Sequence, residues 1–243
     1  MLGRLSKIWA KDDSDVPPAH LRKRVHGAEE LDGFEAIGNA VSKTVFDFLP
    51  RTVAGDSVVT GLDFGVGCGR VLAPLARLCR QSPLAGKVKW YGSDIDREAV
   101  AWCKRRLTAI GSFVVNDPMP PLPFPDQFFD FVFSISVVTH IPEDMQFAWL
   151  ADLRRVAKVG GRVLLSTLPI GLIAESLTES ERAYGFYYRG GGKGTKGLPK
   201  FYQDSFHSRD YVERAWARYF SIEDFIEKGI ADHQDLVVCR RVS

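Results

Sequence analysis

Short apolar runs recur along this chain, and several of them end at an acid. Val58–Arg70 reads VVTGLDFGVGCGR, an apolar run that reaches Asp63 and is followed by glycines 65, 67 and 69 and the start of a helical segment. Lys87–Asp94 (KVKWYGSD) is a second such run, and Ser112–Val115 a third, leading into Asn116-Asp117-Pro118. Stretches of helical period lie between and after them. Asp96 is placed to cap a helix reaching about Ala109, with Ala99, Cys103, Leu107 and Ile110 on one stripe. Pro142 suits the first turn of a later helix, whose positive end Glu143 and Asp144 complement, whose negative end Arg154, Arg155 and Lys158 complement, and whose stop is Gly160. Pro74 sits early in the helix after the glycines, where its missing N–H falls among the unpaired first four; otherwise that helix starts late or kinks. Alternation of strand-like and helical segments predicts an α/β chain with a parallel sheet.

The flanks are patterned too. Residues 16–55 open on Pro17-Pro18 and continue as an amphipathic helix carrying Phe34, Ile37, Val41 and Val45. Near the other end, Ser208 caps a helix with Val212, Ala215, Trp216 and Tyr219. Two apolar runs, Tyr219–Ile226 and Leu236–Cys239, then lie close enough across Glu227–His233 to pair as an antiparallel hairpin. Between core and tail, residues 171–205 hold Tyr184, Phe186, Tyr187 and Tyr188 and then GGGKGTKG. This is no phosphate-gripping loop, because Lys193 is followed by Gly194 and the glycine five positions before Gly192 is missing. It reads either as a flexible loop or as a lid whose aromatic side chains close on an acceptor while the glycines hinge.

The glycine turn is where chemistry enters. A strand feeding a Gly-rich turn and a helix gathers unpaired N–H groups and the positive end of a helix dipole, a setting for an anionic or nucleotide-type ligand. The spacing is G-x-G-x-G followed by Arg70, where the dinucleotide fingerprint wants a small residue, and this tilts the reading away from NAD. Asp94 follows about 25 residues later, near the ~20 expected of a carboxylate that accepts hydrogen bonds from a ribose diol. Asp117 stands where a third acid would take the exocyclic amine of an adenine.

These residues resemble the class I S-adenosylmethionine-dependent methyltransferases, of the type acting on small molecules or glycans. The matching pieces are LDFGVGCG (Leu62–Gly69), YGSDID (Tyr91–Asp96), Asn116–Pro118 with LPFPDQFFD (Leu122–Asp130), FVFSISVVTHI (Phe131–Ile141) and LRRVAKVGGRVLLST (Leu153–Thr167), together covering about residues 56 to 168. The resemblance implies a doubly wound, mostly parallel seven-stranded sheet with a C-terminal antiparallel hairpin, and S-adenosylmethionine along the C-terminal ends of its first four strands. It implies that Asp63 and the turn of Gly65, Val66, Gly67 and Gly69 surround the methionine portion. Asp94 would hold the ribose diol, Ile95 one adenine face, Asp117 beside Asn116 the adenine amine, and Ser134, Ile135 and Ser136 the cofactor through backbone. A single domain is expected over 1–243: a helical cap to residue 55, a cofactor-binding core at 56–170, a lid at 171–205, and the last helix and hairpin at 206–243.

Composition narrows the classes. With 45% hydrophobic and 26% charged residues the chain reads as an ordinary globular protein able to bury a core. The net charge of +2, and a densest basic cluster of only Arg22-Lys23-Arg24, argue against a nucleic-acid partner. Ser134-Ile135-Ser136-Val137 stands where resemblance to amino-methylating DNA enzymes would place a D/N-P-P-Y/F segment. No signal-like or membrane-spanning apolar run is found, and Cys68, Cys79, Cys103 and Cys239 form no C-x-x-C pair, so a reduced, cytoplasmic setting is expected. No His, Asp and Glu set has metal spacing.

An activated methyl donor asks for alignment, exclusion of water and, for a hydroxyl acceptor, a base. The candidate bases are His140, after the fourth strand and near the methyl group by resemblance, and His233 before the last strand; His207, His20 and His26 are weaker. The favoured activity is methyl transfer to a small metabolite or sugar, most of all to oxygen. Three alternatives stay open: a noncatalytic cofactor-binding domain, an NAD(P)-dependent oxidoreductase and a protein methyltransferase.

Overall fold

A computed structural model describes residues 16–192 and 197–243. The charged opening stretch MLGRLSKIWAKDDSD, and Lys193 and Gly194 of the glycine-rich segment, lie outside the described residues. The elements are helices α1 (Ala19–His26) and α2 (Leu31–Asp47), strand β1 (Val59–Phe64), α3 (Leu72–Arg80), β2 (Val88–Asp94), α4 (Arg97–Arg106), β3 (Gly111–Val115), β4 (Phe129–Ser134), α5 (Glu143–Val156) and β5 (Ala157–Pro169). They continue with α6 (Glu179–Tyr184), β6 (Phe186–Arg189), β7 (Asp204–His207), α7 (Arg209–Trp216), β8 (Ser221–Ile230) and β9 (Gln234–Arg240).

Seven strands form the expected sheet in the order β3-β2-β1-β4-β5-β9-β8, with β1 to β5 parallel and β9 antiparallel to both neighbours. Side chains alternate across it. Phe131 and Phe133 of β4, Leu164 of β5, and Leu236 and Val238 of β9 join a core with α2, α3 and α4. Val132, Val163, Leu165, Val237 and Cys239 join a second core with α5 and α7 on the opposite face. This period of two, with helices covering both faces, is what makes the sheet doubly wound.

The local signals act largely as their chemistry dictates. Asp96 caps α4, its carboxylate accepting from the N–H groups of Glu98 and Ala99 at 3.0 and 3.2 Å, and such a cap contributes about 1 kcal/mol. Ser208 caps α7 through the Tyr211 N–H. Pro74 is the third residue of α3, within the first turn, and its missing N–H forgoes only the bond to the Arg70 carbonyl, between those of Ala73 N–H to Gly69 O and Leu75 N–H to Val71 O, both 3.1 Å. The turn between β8 and β9 is Ala231-Asp232, both at positive φ, closed by His233 N–H to Ile230 O at 3.1 Å. This primed geometry matches the strand twist.

Two expectations change. Gly160 does not stop α5: that helix ends at Val156 and passes straight into β5, where Gly160, at φ +79°, lies in the irregular stretch between the pairs Phe129–Ala157 and Phe131–Arg162. The described residues of the 171–205 segment are built rather than loose. Its β6 pairs antiparallel with β7, and β7 pairs with the end of β5 at Leu168–Phe206, which adds a hairpin to the sheet for nine strands in all. β7 also runs across the boundary expected at residue 205.

Candidate functional site

In strands β1 to β4 the C-terminal ends share one edge of the sheet, and the chain reverses its direction of growth between β1 and β4. That switch leaves a crevice where helices on opposite faces diverge, the usual ligand site of open α/β sheets. A cavity of about 940 Å³, mouth included, opens there.

Of the residues anticipated for a cofactor, Asp63, Gly65, Val66, Gly67, Asp94, Ile95, Asn116, Ile135 and Ser136 line this cavity. Gly69, Asp117 and Ser134 do not. Gly69 faces Leu107 of α4 and serves the turn itself. Ser134 is fully buried in β4. Asp117 is exposed, while its neighbour Asn116 turns inward, Nδ2 donating to the Asp117 carbonyl at 2.8 Å and Oδ1 buried with no partner.

The glycine turn and Asp94 are bonded to one another. Gly67 N–H donates to Asp94 Oδ2 at 2.7 Å and Asp96 N–H to Oδ1 at 2.8 Å, so one carboxylate ties the turns after β1 and β2 together. Burial holds Asp94 up at about 6 despite these bonds. Burial, with Asp94 adding like charge, pushes Asp63 well above the usual carboxylate range. Gly67 must be glycine for two reasons: its φ is +52°, and a Cβ there would sit 2.7 Å from Val25 Cγ2.

The roof comes from the N-terminal helices and the 171–205 segment, through residues that sequence patterning does not single out. Arg24 and Val25 of α1 cover the turn; Arg24 Nη1 pairs with Asp96 Oδ2 at 2.9 Å and Glu98 Oε2 at 3.0 Å, and His20 Nε2 reaches Glu98 Oε1 at 2.7 Å. From the other side come Leu198, Phe201 and Tyr202. Tyr184, Phe186, Tyr187 and Tyr188, the aromatic residues expected to close on an acceptor, are outside the lining. Tyr184 bonds Glu143, Phe186 packs on Tyr211 and His207, and the Tyr188 hydroxyl donates to the Phe201 carbonyl at 2.7 Å. They brace the hairpin that delivers Phe201 and Tyr202. Arg70, left without a role by its position in the motif, also lines the cavity.

The two candidate bases stand outside the lining as well. His140 lies behind Tyr202, its ring stacked on the phenol at 4.3 Å and its Nδ1 3.6 Å from Asp204 Oδ1, a contact that holds Asp204 below its ordinary pKa. His233 is exposed in the β8–β9 turn. The next residue, Gln234, reaches the rim instead, its Nε2 donating to Ser136 Oγ at 2.9 Å. His207 is buried against Gln146, and burial drives its pKa down to about 3. Among the described residues no cluster of three His, Cys, Asp or Glu is set to hold a metal, and no helix is long and apolar enough to cross a membrane.

A crevice with a glycine cradle, a ribose-type carboxylate and an inward Asn116 whose Oδ1 lacks a partner fits an adenosine-bearing cofactor. Residues 62–165 match the family model described as methyltransferase domain. The fold is shared with solved structures of low identity. A magnesium protoporphyrin IX methyltransferase from Synechocystis PCC 6803, solved with bound SAH, is 19% identical over 91% of this chain and 93% of its own, with a TM-score of 0.59. A SAM-dependent methyltransferase from Aquifex aeolicus is 16% identical over 93% and 100%, TM-score 0.58, and one from Methanosarcina mazei 16% identical over 81% and 95%, TM-score 0.57. Residues 62–165 thus carry the methyltransferase-domain pattern, and the fold is the one found in S-adenosylmethionine-dependent methyltransferases.

Proposed function

We propose that this enzyme methylates an oxygen of a small metabolite or sugar. The observation that carries the reading is the double roof: α1 on one side and residues 198–202 on the other close over the strand ends, so an acceptor must fit beneath Val25, Phe201 and Tyr202. Asp94 would accept from the ribose hydroxyls, Ile95 would lie against one adenine face, Asn116 would take the adenine edge in place of the exposed Asp117, and Asp63 with the Gly65–Gly67 turn would hold the amino-acid end. S-adenosylmethionine supplies a sulfonium methyl that is already an activated electrophile. What remains for the chain is to align an oxygen with it and exclude water, and alignment alone contributes about 7–11 kcal/mol in intramolecular models. The apolar roof serves the exclusion; Ser136 and Tyr202 offer polar groups at the end of β4, where the acceptor would sit. The four cysteines, all free and buried, fit a reducing cytoplasmic setting.

The test is incubation of the full chain with methyl-labelled S-adenosylmethionine and a cell extract split into small-molecule and polypeptide fractions. Label in the small-molecule fraction, on an oxygen by mass spectrometry, is the expected result. Label confined to polypeptide would overturn the reading in favour of a protein acceptor.

A further inference from the structure

Ser136 lines the cavity in a strained conformation. It follows β4 at φ +61°, in the left-handed region that residues with a side chain rarely adopt. Such a conformation persists only where its surroundings hold it, and three separate parts of the fold do so here. The Ser136 N–H donates to Ser166 Oγ of β5 at 2.8 Å, and the Ser136 carbonyl accepts from the Tyr202 hydroxyl at 3.3 Å. The Ser136 Oγ meets the amide of Gln234, the first residue of β9. Pairing of Ser166 with Leu236 and Thr167 with Asp235 is what brings Gln234 to this edge of the sheet. The same turn seats Val137 on the glycine cradle, since a Cβ on Gly65 would come within 2.1 Å of Val137 Cγ2.

The valences of this hydroxyl decide what it offers a ligand. Gln234 Nε2 donates to Ser136 Oγ at 2.9 Å, and Gln234 Oε1 lies 3.2 Å away, where it accepts the Ser136 proton. A serine hydroxyl has one proton and two lone pairs. The amide engages the proton and one pair, which leaves one pair free. The Ser136 carbonyl likewise has only accepting capacity left. Ser136 therefore presents acceptors and no donor to the cavity, so its partner must bring a proton. An ionised carboxylate has none, and a neutral hydroxyl does.

We infer that Ser136 binds the methyl acceptor by a neutral hydroxyl, and that Gln234 is the positioning residue that fixes the direction of the Ser136 Oγ, an inference that rests on the methyl-transfer reading above. Gln234 is outside the cavity lining and acts through Ser136. The acceptor's O–H donates to Ser136 Oγ, which leaves that oxygen's own lone pairs free for the sulfonium methyl. One pair forms the O–CH3 bond, the S–CH3 pair returns to sulfur, and the proton, acidic once the oxygen is alkylated, goes to solvent. Alcohols, sugars and phenols fit this arrangement, and carboxylic acids do not.

The experiment uses the full chain in wild-type, Ser136→Gly, Gln234→Leu and Gln234→Glu forms, with methyl-labelled S-adenosylmethionine and serial dilutions of the small-molecule fraction of a cell extract. The rate of label transfer against dilution yields a half-saturating amount of extract and a maximal rate, and calorimetry gives S-adenosylhomocysteine affinity. Glycine accepts a positive φ without strain, so Ser136→Gly keeps the turn and loses only the hydroxyl. It should raise the half-saturating amount about 3–10-fold, the loss of one neutral hydrogen bond. Gln234→Leu should raise it by a similar factor with cofactor affinity unchanged, and Gln234→Glu, whose carboxylate still accepts the Ser136 proton, should recover most of that loss. The labelled product should resist mild alkali, as a methyl ether does. An unchanged half-saturating amount in Ser136→Gly, which is what a purely structural serine predicts, overturns the proposal, as does label released by alkali as methanol, the mark of a methyl ester. A deficit in Gln234→Glu as large as in Gln234→Leu, or one read only as weaker cofactor binding, overturns the positioning role. Should Gln234→Leu not fold, Ser136→Gly and Gln234→Glu carry the test. Wild-type protein that labels no small molecule sinks the function proposed above, and this inference with it.

Discussion

Replacing Asp94 by asparagine keeps the side chain's shape and removes its charge. The ionised carboxylate has about four acceptor sites. Gly67 N–H and Asp96 N–H use two of them, Ile95 N–H also favours the ionised form, and Asp94 lines the cavity. An amide keeps one oxygen, so its NH2 must confront one of those backbone donors. A hydrogen bond to a charged group contributes about 1.5–3 kcal/mol, so we expect S-adenosylhomocysteine binding weaker by about 10–100-fold. A pH series separates the charge from the shape. Burial raises Asp94 to about 6, above the ~3.9 of an unfolded chain, so the folded protein binds this proton more readily than the unfolded one. Its contribution to stability is therefore fully present below about pH 3.9 and lost as pH rises past about 6. Cofactor affinity runs the other way, since the diol needs the ionised form: it should fall as pH drops through about 6 in the wild type and stay flat over that range in Asp94→Asn. Calorimetry across pH 5 to 8 reads both, the endpoints being roughly the range where His and a raised Asp titrate. Equal affinity in the two proteins, or parallel pH profiles, would refute the assignment of Asp94 to the ribose.

Gly67→Ala forces a β-carbon into the left-handed region and onto Val25, and should cost about 1–2 kcal/mol for the backbone plus the clash, read as a lower urea midpoint. Adding Val25→Ala should restore only the clash component; full recovery would show that the backbone carries no strain. Arg24→Gln cuts the pairing of α1 with Asp96 and Glu98, and limited proteolysis should then cleave within residues 17–27 faster than in wild type, with equal rates counting against a latched roof. His140→Phe keeps the stacking on Tyr202 while His140→Ala removes it, so turnover should survive in the first and drop in the second; loss in both would restore His140 as a base.

The parts legible in the sequence are those whose signal is local. A strand, its acid and the glycines after it are contiguous, which is why Asp63, Gly65, Gly67 and Asp94 were found by reading along the chain, and why the caps Asp96 and Ser208 fell in place. Asn116 and Asp117 are adjacent polar residues, and only the backbone turn after β3 decides which points inward. The roof was harder. α1 is a short, polar helix that buries Leu21 alone, and the value of Arg24 lies in a partner 72 residues away. Residues 171–205 carry glycines and scattered aromatics with no clean period, because β6 and β7 span four residues each, so loop and lid read alike there and Phe201 and Tyr202 carry no local signal. Arg70 is visible as a departure from a dinucleotide motif, but its place in the cavity lining is a property of the packed fold.

The most direct test is a crystal structure of the protein grown with S-adenosylhomocysteine. The adenosine should lie across the ends of β2 and β3, its ribose hydroxyls on Asp94 and its base against Ile95 and Asn116, with the amino-acid end over Gly65 and Gly67. Adenosine density anywhere other than this crevice, or a crevice still filled by Val25 and Tyr202 at saturating ligand, would contradict the account.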